Sequence, residues 1–352
     1  MYYVVKFKKK IIFFISLVLC AILSISLLNH YYDEKEALYT SGTNGETYIK
    51  WVNFNIPLSF IQEAINLDIE SYSTDFHVSF IDLLAIVSTK YYGNFSKYNI
   101  SDLFSVSEQL QKGQTPTEIV SNDKNFSYYY QSINAVLGGF VGAYESEVVE
   151  NGVKVWKSQY GVKVFSPIAK GYSYSHYDDF GNSRSYGYKR IHLGHDLMGL
   201  TGTPIIAMES GVVEVAGWNQ YGGWRIGIRS FDGTRYYYYA HLRQNRPFAE
   251  GLEVGKIVMA GDVIGYLGHT GYSIEENTNG VKQPHLHLGL QLIFDESQKD
   301  GTNQIWIDLY NITRLLSNYR SETVRDAETK EHTRKTGFRE FVPEEHFTIK
   351  VE

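Results

Sequence analysis

Residues 211–242, GVVEVAGWNQYGGWRIGIRSFDGTRYYYYAHL, contain the pattern that decides the fold. The segment from Gly211 to Gly217 alternates in character, as a strand with one buried face does. Two further β-like runs, Trp224 to Phe231 and Thr234 to Leu242, flank Asp232-Gly233, a strong hairpin signal. Three strand-length segments joined by short turns predict an antiparallel sheet.

The glycine distribution extends this sheet in both directions. Of the 31 glycines in the chain, 21 lie between Gly161 and Gly289, so this part is rich in turns. Val263 to Leu267 and His285 to Ile293 are further short segments of β character. Short strands at regular spacing are typical of an all-β domain. We therefore expect an antiparallel sheet domain over residues 155–295, with a shallow groove.

Residues 51–150 have helical patterns instead. Ile61, Ala64, Ile65 and Ile69 recur at helical spacing after Pro57. Phe80 to Tyr92 predicts a second helix, and Phe126 to Tyr144 predicts a third apolar helix whose glycines allow close packing. The segment TPTE at 115–118 matches a capping box with proline at the first helical position. The role of this helical domain is not indicated by any motif in it.

The N-terminal residues predict a membrane anchor. Lys6 and three lysines at 8–10 precede an uncharged run from Ile11 to Leu28, which as a helix would span about 27 Å. The positive-inside rule places the N-terminus in the cytoplasm and the rest of the chain outside the cell. A cleaved signal peptide is the alternative, but no small-x-small cleavage site follows Leu28. We expect a single-pass protein of the cell membrane whose main domain is extracellular.

Together these segments predict an α+β multidomain chain: an N-terminal transmembrane helix, a small helical domain and an all-β antiparallel sheet domain. Ile305 to Tyr319 is expected to form a C-terminal helix, followed by a charged, flexible or strap-like tail. The expected order is a basic tail and anchor at 1–30, a stalk at 31–50, the helical domain at 51–150, the sheet domain at 155–295, and the C-terminal helix and tail at 296–352.

Composition excludes several classes of protein. The chain is 43% hydrophobic and 20% charged, so it can bury a core and is not globally disordered. One cysteine excludes a disulfide framework and a cysteine-rich zinc finger. A net charge of −6 argues against broad binding to nucleic acid, which needs a basic face.

Histidines are concentrated in the predicted sheet. Seven of the 11 fall between His176 and His287. His285 and His287, in the sequence PHLH, are two residues apart and therefore share one face of a strand. His192 and Asp196 are four apart, with Gly194 between them to let the backbone bend. Two imidazoles and a carboxylate suit zinc and leave a position for water, although a His-x-His pair on a strand also occurs simply exposed.

The motifs of this region, in their order along the chain, resemble the M23 family of zinc metallopeptidases, also called the lysostaphin or LytM type. They are HLGHD at 192–196, TGTPIIAMESGVVEVAGWNQYGG at 201–223, YYAHL at 238–242, GDVIGYLGHTG at 261–271 and PHLHLG at 284–289. The resemblance covers residues 160–295 and implies a LytM-like domain with one Zn²⁺ per chain. Leu288 and Gly289 depart from the aromatic and acidic residues that often follow the His-x-His motif, so we expect altered packing there.

The resemblance also implies roles for individual residues. His192, Asp196 and His287 resemble the metal ligands. His285 and His241 resemble the two catalytic histidines, with His285 as general base and His241 on the oxyanion side, or with these roles exchanged. Family members use an upstream tyrosine to steady the intermediate, and Tyr186 and Tyr188 are the candidates. His195 and His269 are expected to be neither ligand nor catalytic, and His176 to be exposed, at most at the groove rim. Tyr236 to Tyr239 should alternate between core and groove.

The implied activity is that of a zinc endopeptidase that hydrolyses peptide bonds of bacterial peptidoglycan. Its partners would be peptidoglycan peptides, the membrane through the N-terminal helix, and other envelope proteins. One alternative is a zinc-binding LytM-like scaffold in an envelope or sporulation complex, without turnover. A phosphocarrier with paired histidines is disfavoured by the export signal and by Asp196 as a third ligand.

Overall fold

The computed structural model describes residues 16–21, 23–24, 39–41, 47–121, 123–185, 189–301 and 303–347. The chain divides into two compact units, Met1–Val52 and Asn53–Glu352. In the first unit, β1 (Tyr39–Ser41) pairs with β2 (Thr47–Ile49), where the sequence predicted a stalk. The predicted anchor lies mostly outside the described residues; within them, no helix combines the length and apolar character needed to cross a bilayer.

The second unit begins with helices that hold most of the apolar residues of this part of the chain. They are α1 (Leu58–Ser71), α2 (Phe80–Tyr91), α3 (Ser101–Gln111), α4 (Pro116–Ile119) and α5 (Phe126–Leu137). The first two helices and the capping box at Thr115 and Glu118 confirm the predictions from the sequence. The helix α3 was not predicted.

The predicted third helix was too long. It ends at Leu137, and Gly138 and Gly139 form the exit of the helix instead of a packing site within it. A Cβ at Gly139 would lie 1.9 Å from Oε1 of Glu209, so the chain can turn here only without a side chain. Residues from Val141 onward form a β-hairpin whose turn, Asn151-Gly152, has positive φ at both positions. This Asn-Gly pair is a strong sequence signal for a hairpin, although the helical pattern before it led us to predict a helix.

The strands that follow are short and antiparallel. They are β3 (Val141–Glu150), β4 (Val153–Val162), β5 (Ser175–Tyr177), β6 (Ser183–Ser185), β7 (Lys189–Ile191), β8 (His195–Met198), β9 (Pro204–Ile206), β10 (Gly211–Asn219), β11 (Gly223–Ser230), β12 (Arg235–Ala240), β13 (Ile257–Val258), β14 (Val263–Tyr266), β15 (His285–Leu292) and β16 (Ile305–Trp306). Seven of these form the main sheet in the order β13-β10-β11-β12-β15-β8-β5, and β16 also pairs with β15. The antiparallel sheet predicted from residues 211–242 is confirmed.

The main sheet has one apolar face and one polar face. Leu288 and Leu290 of β15 lie opposite Tyr239 and Tyr237 of β12, and all four side chains are fully buried. The alternate residues, including Tyr236, Tyr238 and His287, project from the other face, since successive side chains of a strand point to opposite sides. The predicted alternation of Tyr236 to Tyr239 is therefore confirmed. The polar face of the sheet carries the histidines.

The C-terminal residues differ from the predicted single helix over 305–319, and the tail, predicted to be flexible or strap-like, has the second of these forms. The short strand β16 precedes the helix α6 (Tyr310–Leu316), whose first turn begins where Oδ1 of Asp308 accepts from the Tyr310 amide at 2.9 Å. Beyond it, β17 (Thr323–Arg325) pairs with β18 (His332–Arg334), and β19 (Phe338–Arg339) pairs with β3. The buried ring of Phe338 stacks on Tyr144 at 5.1 Å between centroids. This apolar anchor explains why the charged segment is ordered.

A buried charged cluster joins the helices to the sheet. The Arg235 side chain is 2% exposed, and its guanidinium donates to both carboxylate oxygens of Glu209, at 2.8 and 3.0 Å. The same group donates to the carbonyl oxygen of Ala135 in α5 at 3.0 Å, and the Tyr237 hydroxyl donates to Glu209 at 2.7 Å. The predicted boundary near residue 150 falls instead at the turn between β3 and β4. The change from helices to strands comes earlier, between Leu137 and Val141, inside one compact unit.

Removing the cation from this cluster should destabilise the fold. In Arg235→Leu, the buried Glu209 carboxylate loses its main partner, and we expect the free energy of unfolding to fall by about 3–5 kcal/mol. Urea denaturation followed by circular dichroism measures the change. Lys170→Leu is the matched control, because its pair with Glu322 is exposed and should contribute little. A loss below about 1 kcal/mol in Arg235→Leu would contradict the assignment.

Candidate metal centre and groove

The pairing of β8 with β15 brings the predicted ligands together. Asp196 lies directly opposite His287 in the antiparallel register, so the two side chains share a face of the sheet. His192 follows β7 and lies four residues before Asp196, in the turn that leads into β8. The sequence prediction that these three residues meet is thus matched by the geometry, and all three are largely buried.

The donor atoms of this cluster form a small triangle. His192 Nε2 lies 3.2 Å from Asp196 Oδ1 and 2.9 Å from His287 Nδ1, and the third side, from His287 Nδ1 to Asp196 Oδ1, is 3.0 Å. Ligands bound at Zn–N distances of 2.0–2.1 Å in a tetrahedron are about 3.3–3.4 Å apart. Two imidazole nitrogens and one carboxylate oxygen are also ligands that zinc accepts. The residues present therefore fit zinc.

Gly194 has a different role from the one expected. Its φ is not in the left-handed region, so the backbone bend does not require glycine. A Cβ at this position would lie 2.5 Å from Cε1 of His287 and 2.8 Å from the Leu288 carbonyl oxygen. Glycine is needed because the loop passes directly over the imidazole of His287 and thereby holds it in place.

Two residues that the sequence did not indicate hold the ligands through the polar atoms that are not offered to the metal. Nδ1 of His192 lies 2.9 Å from Oδ1 of Asp179 and makes its hydrogen bond to the backbone carbonyl oxygen of Asp179 at 3.4 Å. Because a carbonyl oxygen can only accept, the proton is on Nδ1 and the lone pair is on Nε2. The Arg184 guanidinium pairs with Asp179 and donates to Asp196 Oδ2 at 2.7 Å, which leaves Oδ1 for the metal. Both residues precede the recognised motif and follow no ligand spacing, so no sequence signal indicates them.

The cluster shifts the pKa values of its members. Burial alone would raise the pKa of Asp196, but its close contacts with the imidazoles of His192 and His287 outweigh that effect and hold the pKa far below its usual range. Burial lowers the pKa of His287, although the neighbouring Asp196 opposes this effect. A carboxylate that stays ionised and an imidazole that stays neutral are the protonation states that bind a metal.

The two other histidines are fixed by backbone carbonyls. His285 Nδ1 lies 2.8 Å from the carbonyl oxygen of Gln283, and His241 Nδ1 lies 2.8 Å from that of Thr270. Because a carbonyl oxygen can only accept, each neutral ring carries its proton on Nδ1 and has a lone pair on Nε2. His285 Nε2 is buried without a hydrogen bond, 3.6 Å from Asp196 Oδ2. Both histidines can therefore accept a proton beside the ligand cluster.

His241 adopts an unusual backbone conformation. Its φ of 60° lies in the left-handed region, which a residue with a Cβ rarely occupies. The conformation is held by hydrogen bonds from its amide to the Gly222 carbonyl at 2.7 Å and from the Gly268 amide to its own carbonyl at 3.0 Å. Its ring centroid lies 4.8 Å from that of His285. Burial, together with the neighbouring His285 and His287, holds the pKa of His241 well below its usual value.

A groove of about 440 Å³ runs beside the cluster on the polar face of the sheet, and His192, His241 and His287 line part of it. Tyr236 and Tyr238 lie on its floor. A Cβ at Gly222 would lie 2.2 Å from the hydroxyl oxygen of Tyr238, and one at Gly227 would lie 2.0 Å from that of Tyr236. The glycines of β11 and the preceding turn thus make room for the two tyrosines.

The remaining site predictions fall into three groups. Tyr186 and Tyr188 lie outside the described residues, so the proposed role of either one stays a prediction. His195 Nε2 lies 2.9 Å from His176 Nδ1, away from the ligand cluster, and His176 is half-buried where exposure was expected. His269 Nδ1 contacts the Val281 carbonyl at 2.9 Å, as befits a turn residue.

Leu288 and Gly289 differ from the aromatic and acidic residues that often follow the His-x-His motif, and the structure explains this difference. Leu288 is fully buried in the core, and a Cβ at Gly289 would lie 2.6 Å from the Trp306 ring of β16. An indole from the added strand therefore occupies the space over this glycine. Neither leucine nor glycine has a side-chain donor for a metal, so the ligand set is unaffected, and the expectation that the packing differs from that of other family members stays a prediction.

Comparisons with known proteins agree with this geometry. Residues 190–300 match the family model described as Peptidase family M23. A segment of 124 residues is 45% identical to the L-Ala--D-Glu endopeptidase of Bacillus subtilis (strain 168), covering 35% of this chain and 36% of that protein. Lysostaphin of Staphylococcus staphylolyticus is 38% identical over 120 residues, or 34% of this chain and 21% of that protein.

A solved structure extends the likeness beyond the sheet. The crystal structure of a putative glycyl-glycine endopeptidase lytM from Ruminococcus gnavus ATCC 29149 superposes with a TM-score of 0.50 and 26% identity. The match covers 77% of this chain and 90% of that one, more of this chain than residues 190–300. The two curated relatives, in contrast, are matched over about a third of their length or less. Residues 190–300 of this chain therefore match peptidase family M23, and their relatives include proteins of its lysostaphin and LytM type.

Proposed function

We propose that the chain is a zinc endopeptidase that hydrolyses peptide bonds of bacterial peptidoglycan. The observation that carries the proposal is the arrangement beside the groove, where three metal donors lie within 3.2 Å of one another next to two histidines with free Nε2 lone pairs. Relatives named as an L-Ala--D-Glu endopeptidase and as lysostaphin support the same reaction class. A groove along the sheet suits an extended peptide.

In this proposal, His192, Asp196 and His287 hold the zinc ion. When bound, zinc would polarise the scissile carbonyl and lower the pKa of a water molecule at the open position towards about 7. Two of these ligands are oriented by neighbouring residues: Asp179 contacts His192, and Arg184 donates to Asp196. The protein therefore contributes a preformed site whose tautomers and charges are already set.

The two histidines held by backbone carbonyls, His285 and His241, carry out the proton transfers. We assign His285 as the general base, because its Nε2 is an acceptor, is buried without a partner and lies beside Asp196. His241 lines the groove, and its Nδ1 bond to Thr270 leaves Nε2 unprotonated in the neutral ring. On the oxyanion side, His241 can donate only after it accepts the proton that the attacking water gives up, and its low pKa opposes that step, so His285 is the first acceptor. Whichever histidine holds this proton then passes it to the leaving amine, so the two roles can be exchanged.

The location is proposed from the sequence. The basic residues and apolar run of residues 6–28 would anchor the chain in the cell membrane with the peptidase domain outside. A net charge of −6 does not favour adhesion to an anionic wall, and an anchor would make such adhesion unnecessary by raising the local concentration.

Substitution should separate metal binding from turnover. His192→Ala should lose zinc, measured by elemental analysis of the purified chain, together with cleavage of muropeptides followed by mass spectrometry. His285→Ala should retain zinc but lose cleavage by about a hundredfold or more, because a positioned acid–base group contributes that much. His346→Ala, which removes a contact to the Phe231 carbonyl, is the control.

Two results would contradict the proposal. Full cleavage by His192→Ala and His285→Ala would exclude the assigned chemistry. A wild-type chain that binds zinc and never cleaves muropeptides would instead favour the zinc-binding scaffold, although a scaffold gives no reason to retain His241 and His285 in the fixed tautomers described above.

Loss of the supporting arginine should weaken the metal site. In Arg184→Gln, Asp196 loses its cationic partner, so we expect zinc affinity to fall about 10- to 100-fold in competition with a chromogenic chelator. Arg325→Gln removes the same charge from an exposed strand and serves as the control. Equal zinc affinity in Arg184→Gln and the wild type would show that Asp196 needs no such support.

A further inference from the structure

Arg225 occupies a defined position relative to the ligand cluster. Ile226 of β11 pairs with Tyr239 of β12, which makes Arg225 the neighbour of Ala240. Ala240 in turn pairs with His287. With strands about 4.8 Å apart, Arg225 lies about 10 Å across the sheet from His287 and projects from the same face.

The shortest path across the sheet between these two residues passes over Ala240 and beside the Tyr238 ring. Ala240 and Tyr238 both line the groove, and of the two only Ala240 has a small side chain. Tyr238 borders the same path, with its ring centroid 6.0 Å from that of His287 and 6.0 Å from the Arg225 guanidinium carbon. A peptide lying across the sheet from the ligand cluster therefore reaches Arg225 after about three extended residues, at about 3.3 Å each.

Arg225 differs from the other cations of the groove in its partners. Lys299 is paired with Glu214 at 2.7 Å, and Arg190 lies over the Tyr272 ring at 4.7 Å. Arg225 contacts the Tyr238 hydroxyl but forms no ion pair with any carboxylate of the residues that the structure describes, and its Nε is buried without a hydrogen bond. A buried donor without a partner is destabilising, so packing alone gives no reason for a guanidinium here.

The charges of the residues that line the groove also favour a ligand with negative charge. Its lining contains three cations, Arg190, Arg225 and Lys299, and one carboxylate, Asp300. A guanidinium without a carboxylate partner can bind one through two parallel hydrogen bonds, and in a partly buried site this interaction is stronger than in water. The groove therefore suits a peptide that carries negative charge.

We propose that Arg225 is a specificity-determining residue that binds a carboxylate of the substrate peptide, about three residues from the bond that is cleaved. The substrate class is thereby narrowed to acidic peptides, as opposed to neutral, glycine-only bridges. This inference rests on the proposed function for the position of the cleaved bond, but the recognition of a carboxylate can be measured without turnover.

The test compares two synthetic muropeptides that are identical except that one side-chain or α-carboxylate is free in the first and amidated in the second. For the wild-type full chain, kcat/KM should favour the free acid about 10- to 100-fold, the factor that corresponds to a hydrogen bond between charged groups. In Arg225→Gln this ratio should fall to about one, and Arg225→Lys should retain part of it. Arg246→Gln, which removes one charge from a pair outside the groove, should keep the wild-type ratio.

Equilibrium affinity for the same two peptides, measured by calorimetry in a His285→Ala background, distinguishes this inference from the proposed function. If the wild type hydrolyses neither peptide but the affinity ratio still depends on Arg225, the carboxylate site stands and the peptidase proposal fails. If hydrolysis occurs but Arg225→Gln leaves the ratio unchanged, or if Arg246→Gln lowers it equally, Arg225 is not the specificity determinant. Equal loss for both peptides in Arg225→Gln would indicate a structural role and would also overturn the inference.

Discussion

The antiparallel pairing of β8 with β15 is the constraint on which the candidate site depends. It sets Asp196 directly opposite His287 and holds their donor atoms 3.0 Å apart before any metal is considered. A slip of one residue in this register would turn every side chain of one strand to the other face. His192 and the two supporting residues, Asp179 and Arg184, gain their positions only because this pair is already in place.

The two-residue period of strand β15 places candidate site residues on one face and core residues on the other. In β15, His285, His287 and Gln291 project towards the polar face, while Leu286, Leu288, Leu290 and Leu292 are completely buried on the other. The ligands are therefore attached to a strand that the core cannot release without losing several leucines. Such a rigid support is what a metal site needs, because its donors must remain within a few tenths of an ångström of their positions.

Sequence reasoning predicted what depends on local spacing and missed what depends on loops. His285, His287 and the Asp232-Gly233 hairpin follow from periodicity and turn chemistry, and the resemblance to family M23 supplied the partners of that pair. Asp179 and Arg184 reach the site from irregular segments, so their approach is decided by tertiary contacts that leave no periodic trace. The end of α5 at Leu137 was missed for the same reason, since the need for glycine at position 139 arises from Glu209, seventy residues further along.

The cluster of Arg235, Glu209 and Tyr237 has a consequence for how this protein can change during evolution. The guanidinium of Arg235 donates a hydrogen bond to a carbonyl oxygen in α5. The buried charged cluster of the sheet therefore depends on a backbone acceptor in the preceding helices. Recombination that joins this sheet to a different N-terminal segment would remove one hydrogen-bond acceptor of that guanidinium. The helical segment and the sheet are thus expected to be inherited together, as one module with a shared interior, whatever precedes them in the chain.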